Sequence, residues 1–370
     1  MTKVLHIGQL VGGLDIYIRN SIEHAVDGME FVIAHGRTDK SKPIFYKGHE
    51  VKAYRIDLQR ELSPAKDLKC LFQALRIARK EKPDIIHCHS AKGGVIGRFV
   101  GWFTNIPTVY TPHAFSFLST PNKKKQHVYL LIERAAKLKS FLLACSESEK
   151  SIGMESIGYK KEKSLVWNNS VPDVIKQADI YVEPIDSPYI IYVGRPCYQK
   201  NMTLLVDVAE KVHKAHCRIK FVLLGVGYYS PDLEMLKAEI KRKGLEDCFV
   251  MKPWLSHDET CAYVNGSMFY LSTSRYEGLP LSVVEAMCLG KAIIATDVTG
   301  NKDCVIDKTN GYLVKEEATD IARRCNELIE DSNLLKSMGE KSRKIYEERF
   351  DIEKRIYLLD SIYQKIAGLK

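Results

Sequence analysis

Twice along this 370-residue chain a short apolar run ends on a glycine turn and an amphipathic helical stretch follows. The first is Lys3–Ile7 ahead of Gly12-Gly13, and the second is Tyr189-Ile-Ile-Tyr-Val-Gly194. After each, strand-length runs keep alternating with helical ones. Glu30–Ala34, Asp84-Ile-Ile-His-Cys-His89, Thr108–Tyr110 and Phe141–Ala144 continue the first series. Phe221–Gly225, Phe249–Met251, Met268–Leu271 and Ala292–Ala295 continue the second. Such alternation specifies an α/β fold, because parallel neighbours need a crossover and a helix supplies it. Between Ser170 and Ser187 the periodicity lapses around Pro172 and Pro184. The chain therefore reads as two Rossmann-like parallel-sheet halves, 1–172 and 187–351, and its length exceeds what one core serves. Ile352, Ile356, Leu359, Tyr363 and Ile366 keep helical spacing and predict an amphipathic final helix over about 352–370.

Charge is unevenly placed. Residues 1–185 hold 28 Lys and Arg against 19 Asp and Glu, whereas residues 186–370 hold 27 of each. The basic excess points to an anionic partner of the first half. No zinc-finger spacing or other nucleic-acid motif accompanies it, so nucleic acid is not the expected partner. An anionic membrane surface fits, since Lys123-Lys124-Lys125 lies near Phe115, Phe117, Leu118 and the stretch Val95–Phe103. A solvated loop is the plainer reading of the same lysines. No apolar window is long enough to span a bilayer. The N-terminus runs straight into a strand without a signal peptide's apolar core. Ten scattered cysteines without Cys-x-x-Cys spacing read as reduced thiols. The expected location is cytoplasmic, peripheral on the inner face of the membrane.

The most informative stretch is Ser274-Arg-Tyr-Glu-Gly-Leu-Pro-Leu-Ser-Val-Val-Glu-Ala-Met287. It follows an apolar run, passes a Gly-Leu-Pro-Leu loop and opens a helix at Ser282. Ligands of parallel sheets bind beyond the carboxyl ends of the strands, and helix N-termini favour anions. Glu277 then lies in the loop and Glu285 in the first helical turn, both facing one crevice. Local rules offer plainer roles too: Ser282-Val-Val-Glu285 reads as a capping box, and Glu277 as a solvated loop acid.

Other strand ends add chemistry. Gly12-Gly13 lets backbone N–H groups approach a phosphate, and equally makes an ordinary tight turn. Gly194-Arg195-Pro-Cys-Tyr-Gln-Lys200 sets two cations directly after a strand, which suits a diphosphate that Arg can bind in forked geometry, and equally makes a pair of surface cations. His113, in Thr111-Pro-His-Ala-Phe115, follows a strand and would project into the cleft from the first half, whereas a lone histidine is more often structural. His87-Cys-His89 puts two imidazoles on one strand face. Two ligands without a third make a poor zinc site, so no metal is expected. No Asp-x-Asp occurs to hold a diphosphate through a divalent ion. A leaving diphosphate would rely on Arg195, Lys200 and helix N-termini. Gly-x-Ser-x-Gly and Gly-x-x-x-x-Gly-Lys-Ser/Thr are absent, and Gly8-x-x-x-Gly12-Gly13 is not a dinucleotide fingerprint.

Taken together, the motifs resemble the retaining GT-B glycosyltransferases of glycosyltransferase family 4. The residues concerned are Gly12-Gly13, His113, Gly194-Arg195 with Lys200, Gly225-Val-Gly227, Glu277 with Glu285, and Gly290-Lys-Ala-Ile-Ile-Ala-Thr296. The chain departs from the commoner pattern at Asp15, Asn201 and Pro253. The resemblance implies two facing Rossmann-like domains with a deep interdomain cleft, the first on the acceptor side and the second binding the donor, and a final helix crossing back onto the first. It implies transfer of a sugar from a nucleotide diphosphate, UDP favoured, with retained configuration and no metal or other cofactor. The acceptor would be lipid-linked or a surface polysaccharide. Carried over by position, Glu285 would bond the donor ribose, and Glu277 would sit near the transferred sugar. The amides of Gly278, Leu279, Pro280 and Leu281 would line that pocket, with Trp254 near the base. Arg195 and Lys200 would hold the diphosphate, with Gly12 and Gly13 on the donor and His113 against the sugar. A GT-B-fold sugar-nucleotide epimerase or hydrolase, and a non-catalytic anion-binding peripheral membrane protein, are the alternatives.

Overall fold

The computed structural model describes residues 1–37, 39, 42–59, 63–227 and 230–368. The chain forms two compact units, Met1–Pro172 with Ile352–Lys370, and Asp173–Asp351.

Unit 1 opens with β1 (Thr2–Ile7), α1 (Gly13–Glu23) and β2 (Met29–Gly36). A small hairpin of β3 (Phe45–Tyr46) and β4 (His49–Glu50) leads to β5 (Lys52–Ile56) and α2 (Pro64–Glu81). Then come β6 (Ile85–His89), α3 (Ser90–Thr104), β7 (Thr108–Thr111) and α4 (Lys123–Ala136). The unit's first stretch ends with β8 (Phe141–Ala144), α5 (Glu147–Ile152) and β9 (Ser164–Val166). Seven parallel strands lie in the order β5-β2-β1-β6-β7-β8-β9. Helix α3 lies close against this sheet because glycines face it. A Cβ at Gly97 would come within 2.2 Å of the Cys88 Cβ, and one at Gly94 within 2.2 Å of the Tyr110 ring.

Unit 2 carries β10 (Tyr189–Val193), α6 (Met202–Ala215), β11 (Lys220–Leu224), α7 (Leu233–Arg242) and β12 (Phe249–Lys252). It continues with α8 (His257–Gly266), β13 (Tyr270–Ser272), α9 (Leu281–Cys288) and β14 (Ile293–Thr296). It closes with α10 (Asn301–Cys304), β15 (Gly311–Val314), α11 (Ala318–Glu330) and α12 (Ser332–Arg349). Its six parallel strands are ordered β12-β11-β10-β13-β14-β15. The proline-bearing stretch after Pro172 packs with this unit: the Asp173 carboxylate meets Arg343 at 2.6 Å, and the Tyr263 hydroxyl donates to the Glu183 carbonyl.

Helix α13 (Ile352–Ala367) returns to unit 1, and the last two residues of the span expected from sequence lie outside the described residues. Ile352, Ile356, Leu359, Tyr363 and Ile366 are all buried in one cluster with Val4, Tyr17 and Ile18. Each such side chain stabilises the unit by about 1.5–3 kcal/mol as an upper estimate. The α13 helix is thus part of the core of unit 1.

Both sheets reverse strand order once, between β1 and β6 in unit 1 and between β10 and β13 in unit 2. Loops leaving the carboxyl ends of such a strand pair diverge to opposite faces and leave a crevice. Of the residues singled out from sequence, Gly12 and Gly13 follow β1, Arg195 and Lys200 follow β10, and Glu277 and Glu285 follow β13. His113 and Trp254 instead follow β7 and β12.

Candidate functional site

In unit 2 the loop after β10 and the loop after β13 are tied together across the point of reversal. The Lys200 ammonium lies 2.7 Å from Glu277 Oε1, which also accepts from the Ser274 hydroxyl at 2.7 Å. Glu277 Oε2 accepts from Gln199 Nε2 at 2.9 Å. Main-chain bonds fix both loops: Arg275 N–H donates to the Gln199 carbonyl at 2.8 Å and Glu277 N–H to the Thr299 carbonyl at 2.9 Å. Glu277 is 7% exposed, so the solvated-acid reading is replaced by a buried ion pair. Burial pulls the Lys200 pKa down, but the Glu277 charge outweighs it and the ammonium is held above its ordinary range.

Tight backbone approach lets these groups meet. Gly194, with φ +151°, passes the Lys200 side chain so closely that a Cβ there would stand 3.0 Å from Cε. Gly300, with φ +83°, lies against Glu277, and a Cβ would come within 2.7 Å of the Glu277 Cβ. Gly300, Gln199 and Ser274 were missed in the sequence; Gly300 stands four residues past the end of β14, immediately before α10. Arg195 is half-buried at the start of the same loop as Lys200.

Beyond Glu277 the chain passes Gly278, Leu279 and Pro280, all buried, into α9. The helix begins at Leu281 with Pro280 as its cap residue and no side-chain cap. The expected start at Ser282 is therefore one residue late, and the capping box does not form. The Ser282 hydroxyl instead accepts from the Tyr270 hydroxyl at 2.8 Å, and Glu285 Oε1 meets His257 Nε2 at 2.9 Å. Helix N-termini leave backbone N–H groups directed outward, a favourable setting for an anion. Trp254 follows the carboxyl end of β12 and is 55% exposed. Gly225 and Gly227 lie at the end of β11 with φ of +90° and +130°.

Unit 1 gathers imidazoles at its own reversal point. His6 on β1 lies in register with His87 on β6. His6 Nδ1 is 3.0 Å from His89 Nε2, His89 Nδ1 is 3.2 Å from His113 Nε2, and His113 Nδ1 is 3.5 Å from Cys145 Sγ. His87 bonds the hydroxyls of Tyr363, at 2.6 Å, and Thr111, at 2.8 Å. Burial depresses the basicity of the group, with His6 and His113 both lowered to about 3 and His87 and His89 well below the ordinary imidazole value. The expectation that only two histidines meet here needs correction. His6 is the third, and nitrogens of His6, His87 and His89 lie within 4.8 Å of one another. Both His87 nitrogens are already engaged by hydroxyls, so the arrangement is a hydrogen-bonded network in its present form.

His113 and Ala114 adopt φ of +52° and +76°, two successive left-handed residues without glycine. Each such residue costs about 1–3 kcal/mol unless its surroundings enforce it. The enforcing group is Glu149, whose oxygens accept from Ala114 N–H and Cys145 N–H at 2.7 Å each. Gly12 caps α1 with φ +60° and ψ −136°, a glycine conformation, and Gly13 is the first residue of that helix.

Known proteins align with this layout over nearly the whole chain. The family description "Glycosyltransferase Family 4" matches residues 11–173, and "Glycosyl transferases group 1" matches residues 173–345. An Escherichia coli UDP-Gal:alpha-D-GlcNAc-diphosphoundecaprenol alpha-1,3-galactosyltransferase is 27% identical, over 86% of this chain and 85% of its own. The capsular polysaccharide biosynthesis glycosyltransferase CapM of Staphylococcus aureus is 25% identical, over 85% of this chain and 87% of its own. Among solved structures, a sucrose-phosphate synthase from Thermosynechococcus elongatus superposes with TM-score 0.82 at 18% identity, covering 100% of both chains. Anabaena HepE in complex with UDP and glucose superposes with TM-score 0.78 at 18% identity, covering 98% of this chain and 99% of that one. With both halves matched in order, and both sheets and their strand-end loops in place, the chain belongs to the GT-B glycosyltransferases of the family 4 type.

Proposed function

We propose that this glycosyltransferase moves a hexosyl or N-acetylhexosaminyl group from a UDP-sugar, with retained configuration and without a metal, to a lipid-linked or surface-polysaccharide acceptor. The observation that carries the reading is the Lys200–Glu277 pair joining two strand-end loops at the point of reversal in unit 2. A diphosphate entering there meets the Lys200 ammonium, the Arg195 guanidinium and the N-terminus of α9, which together stabilise a departing nucleotide. Glu277 sits beside the transferred sugar, the amides of Gly278–Leu281 line its pocket, Glu285 takes the ribose and Trp254 the base. Gly12, Gly13 and His113, carried over from the resemblance, also serve the donor. The choice of UDP and of a lipid-linked acceptor is supported by the relatives, whose names give UDP-galactose, a diphosphoundecaprenol and capsular polysaccharide.

The test is a thermal-shift screen of UDP, GDP, ADP and their sugars, then nucleotide release with a polyprenyl-diphosphate-sugar acceptor. At a hundred times its Kd a nucleotide adds about 2.7 kcal/mol to stability, so UDP is expected to raise the midpoint by several degrees. Release is expected only with acceptor present. Full-rate turnover without acceptor would reassign the chain to epimerase or hydrolase chemistry, and no shift with any nucleotide would sink the donor reading.

The same proposal places the enzyme on the cytoplasmic, anionic face of a membrane through unit 1. That unit holds 31 Lys and Arg against 18 Asp and Glu. Lys123, Lys124 and Lys125 form the first turn of α4, where the helix dipole disfavours cations. The same helix exposes Val128, Leu131 and Ile132, and α3 exposes Trp102 and Phe103. Cations set against the dipole beside uncovered apolar side chains suit lipid headgroups, at about 1 kcal/mol per lysine. Replacing the three lysines by alanine is expected to lower partition onto phosphatidylglycerol vesicles by about a hundredfold. Vesicle sedimentation checks this, and equal binding by the variant, or equal binding to phosphatidylcholine, would refute it. No helix among the described residues is long and apolar enough to cross a membrane.

A further inference from the structure

Glu285, the proposed ribose ligand, already has a partner within unit 2. His257 Nε2 lies 2.9 Å from Glu285 Oε1, while Oε2 has no hydrogen-bond partner among the described residues. Glu285 is buried, whereas the His257 side chain is 40% exposed. The position of His257 is set by sequence and helix geometry together. Ser256 and Glu259 form a reciprocal capping box: Glu259 N–H donates to the Ser256 hydroxyl at 3.2 Å, and Ser256 N–H donates to the Glu259 carboxylate at 2.8 Å. That fixes the start of α8 and makes His257 its first residue, directed at the neighbouring α9.

Three groups face the imidazole. On α8 the Asp258 carboxylate is 3.9 Å away and the Cys261 thiol 3.8 Å, and on α9 there is Glu285. Cys261 and Glu285 lift the His257 pKa to about 11. Burial pushes the Cys261 thiol up as well, so it stays uncharged and Glu285 is the anion that matters. A pinned carboxylate has fewer orientations to lose when ligand arrives, and a charged donor on one oxygen holds the other in a defined direction.

We propose that His257 is a positioning residue of the nucleotide site, holding one oxygen of Glu285 so that the other is presented to the vicinal hydroxyls of the ribose. The inference rests on the donor reading of unit 2. It accounts for a half-exposed histidine spending its Nε2 on a buried acid.

The test compares UDP, GDP and ADP with their 2′,3′-dideoxy forms by titration calorimetry at pH 7.5. Wild type, His257→Ala, His257→Gln, His257→Lys and Glu285→Gln are the proteins. Wild type is expected to prefer the ribose form of its nucleotide by about ten- to thirtyfold, the weight of one charge-assisted hydrogen bond. His257→Ala is expected to bring that preference within about threefold, as Glu285→Gln does, without weakening the dideoxy form. His257→Lys should restore much of it, because a cation again holds the carboxylate, and His257→Gln should restore less. In turnover the loss should fall on the donor KM, with kcat changed little. A full ribose preference in His257→Ala would overturn the inference alone and leave His257 a helix-start residue. Failure of wild type to bind any of the three diphosphates would overturn the donor reading and this inference with it.

Discussion

Glu277→Gln is expected to cut sugar transfer by about a thousandfold or more while unit 2 remains folded. The carboxylate has three partners, Lys200, Ser274 and Gln199, all within 2.9 Å. An amide of the same shape offers one acceptor oxygen and one donor nitrogen. Its nitrogen faces another donor whichever way it is turned, either Gln199 or the Lys200–Ser274 pair. The larger effect is on Lys200. Burial already lowers its pKa, and the Glu277 charge is the largest influence holding the ammonium above its ordinary range. Without that charge Lys200, proposed to meet the diphosphate, holds its proton less firmly, so one substitution weakens both of the proposed site groups. Leaving one member of a buried pair unpartnered also destabilises a protein by about 3–5 kcal/mol, so lost activity alone would be ambiguous. Glu277→Gln combined with Lys200→Met separates the two effects, because apolar replacement of a whole buried pair is often close to neutral. The double variant is expected to melt near wild type and stay inactive. Nucleotide release and circular-dichroism melting read the outcome, and a single variant retaining more than a tenth of wild-type turnover would remove Glu277 from the chemistry.

The parts of this fold that were legible in the sequence are those buried on both faces. Phe141–Ala144 is β8 residue for residue, because a strand covered by helices on both sides shows as an unbroken apolar run. β5, Lys-Ala-Tyr-Arg-Ile, was not legible: it is an edge strand with three exposed side chains and no such run. β9, only three residues long, gave too little pattern to distinguish from a loop. The Met268–Leu271 run was seen, but its ladder begins only at Tyr270, where pairing with β14 starts.

At the site, Glu277 and Lys200 could be found because each follows a readable strand end. Their contact could not, since 77 residues separate them and only the adjacency of β10 and β13 closes the gap. Glu285 shows how a local rule misleads. Ser282-Val-Val-Glu285 has the spacing of a capping box, but Pro280 starts the helix earlier, which turns Ser282 to Tyr270 and frees Glu285 for His257. His6 escaped notice for the same reason as the Lys200 contact. It lies 83 residues from His89, and strand order alone brings the rings together.

That histidine group carries the second large expectation, a loss of unit 1 stability on mild acidification. His6, His87 and His89 are fully buried and held neutral by desolvation. Their folded pKa values lie below the unfolded value of about 6.5, so the unfolded chain takes up protons first as the pH falls. Stability is therefore intact above about pH 6.5 and is lost progressively from there down towards about pH 3. At pH 5.5 each imidazole accounts for about 1.4 kcal/mol and the three for about 4 kcal/mol, whatever the depth of the depression. One neighbour opposes this. Burial raises Asp360 on α13 to about 6, so its protonation favours the folded state and returns about 0.8 kcal/mol at pH 5.5. With His113, which burial also lowers to about 3 and which adds about 1.4 kcal/mol, the net loss is about 5 kcal/mol. That is a large share of a stability of about 5–15 kcal/mol, whereas Glu81, lowered to about 2, begins to matter only below about pH 4.5. Trp167 reports on this unit, being 3% exposed with its ring 5.4 Å from Tyr17. With Trp102 and Trp254 replaced by Phe, urea unfolding followed by its fluorescence at pH 7.5 and pH 5.5 should show the drop. His6→Gln should remove about a quarter of the histidine contribution, since an amide can still bond His89 without titrating, and Asp360→Asn should deepen the loss by removing the offset. A midpoint that does not move between the two pH values would mean that the imidazoles are charged in the folded protein, and the neutral hydrogen-bonded chain from His6 to Cys145 would then be wrong.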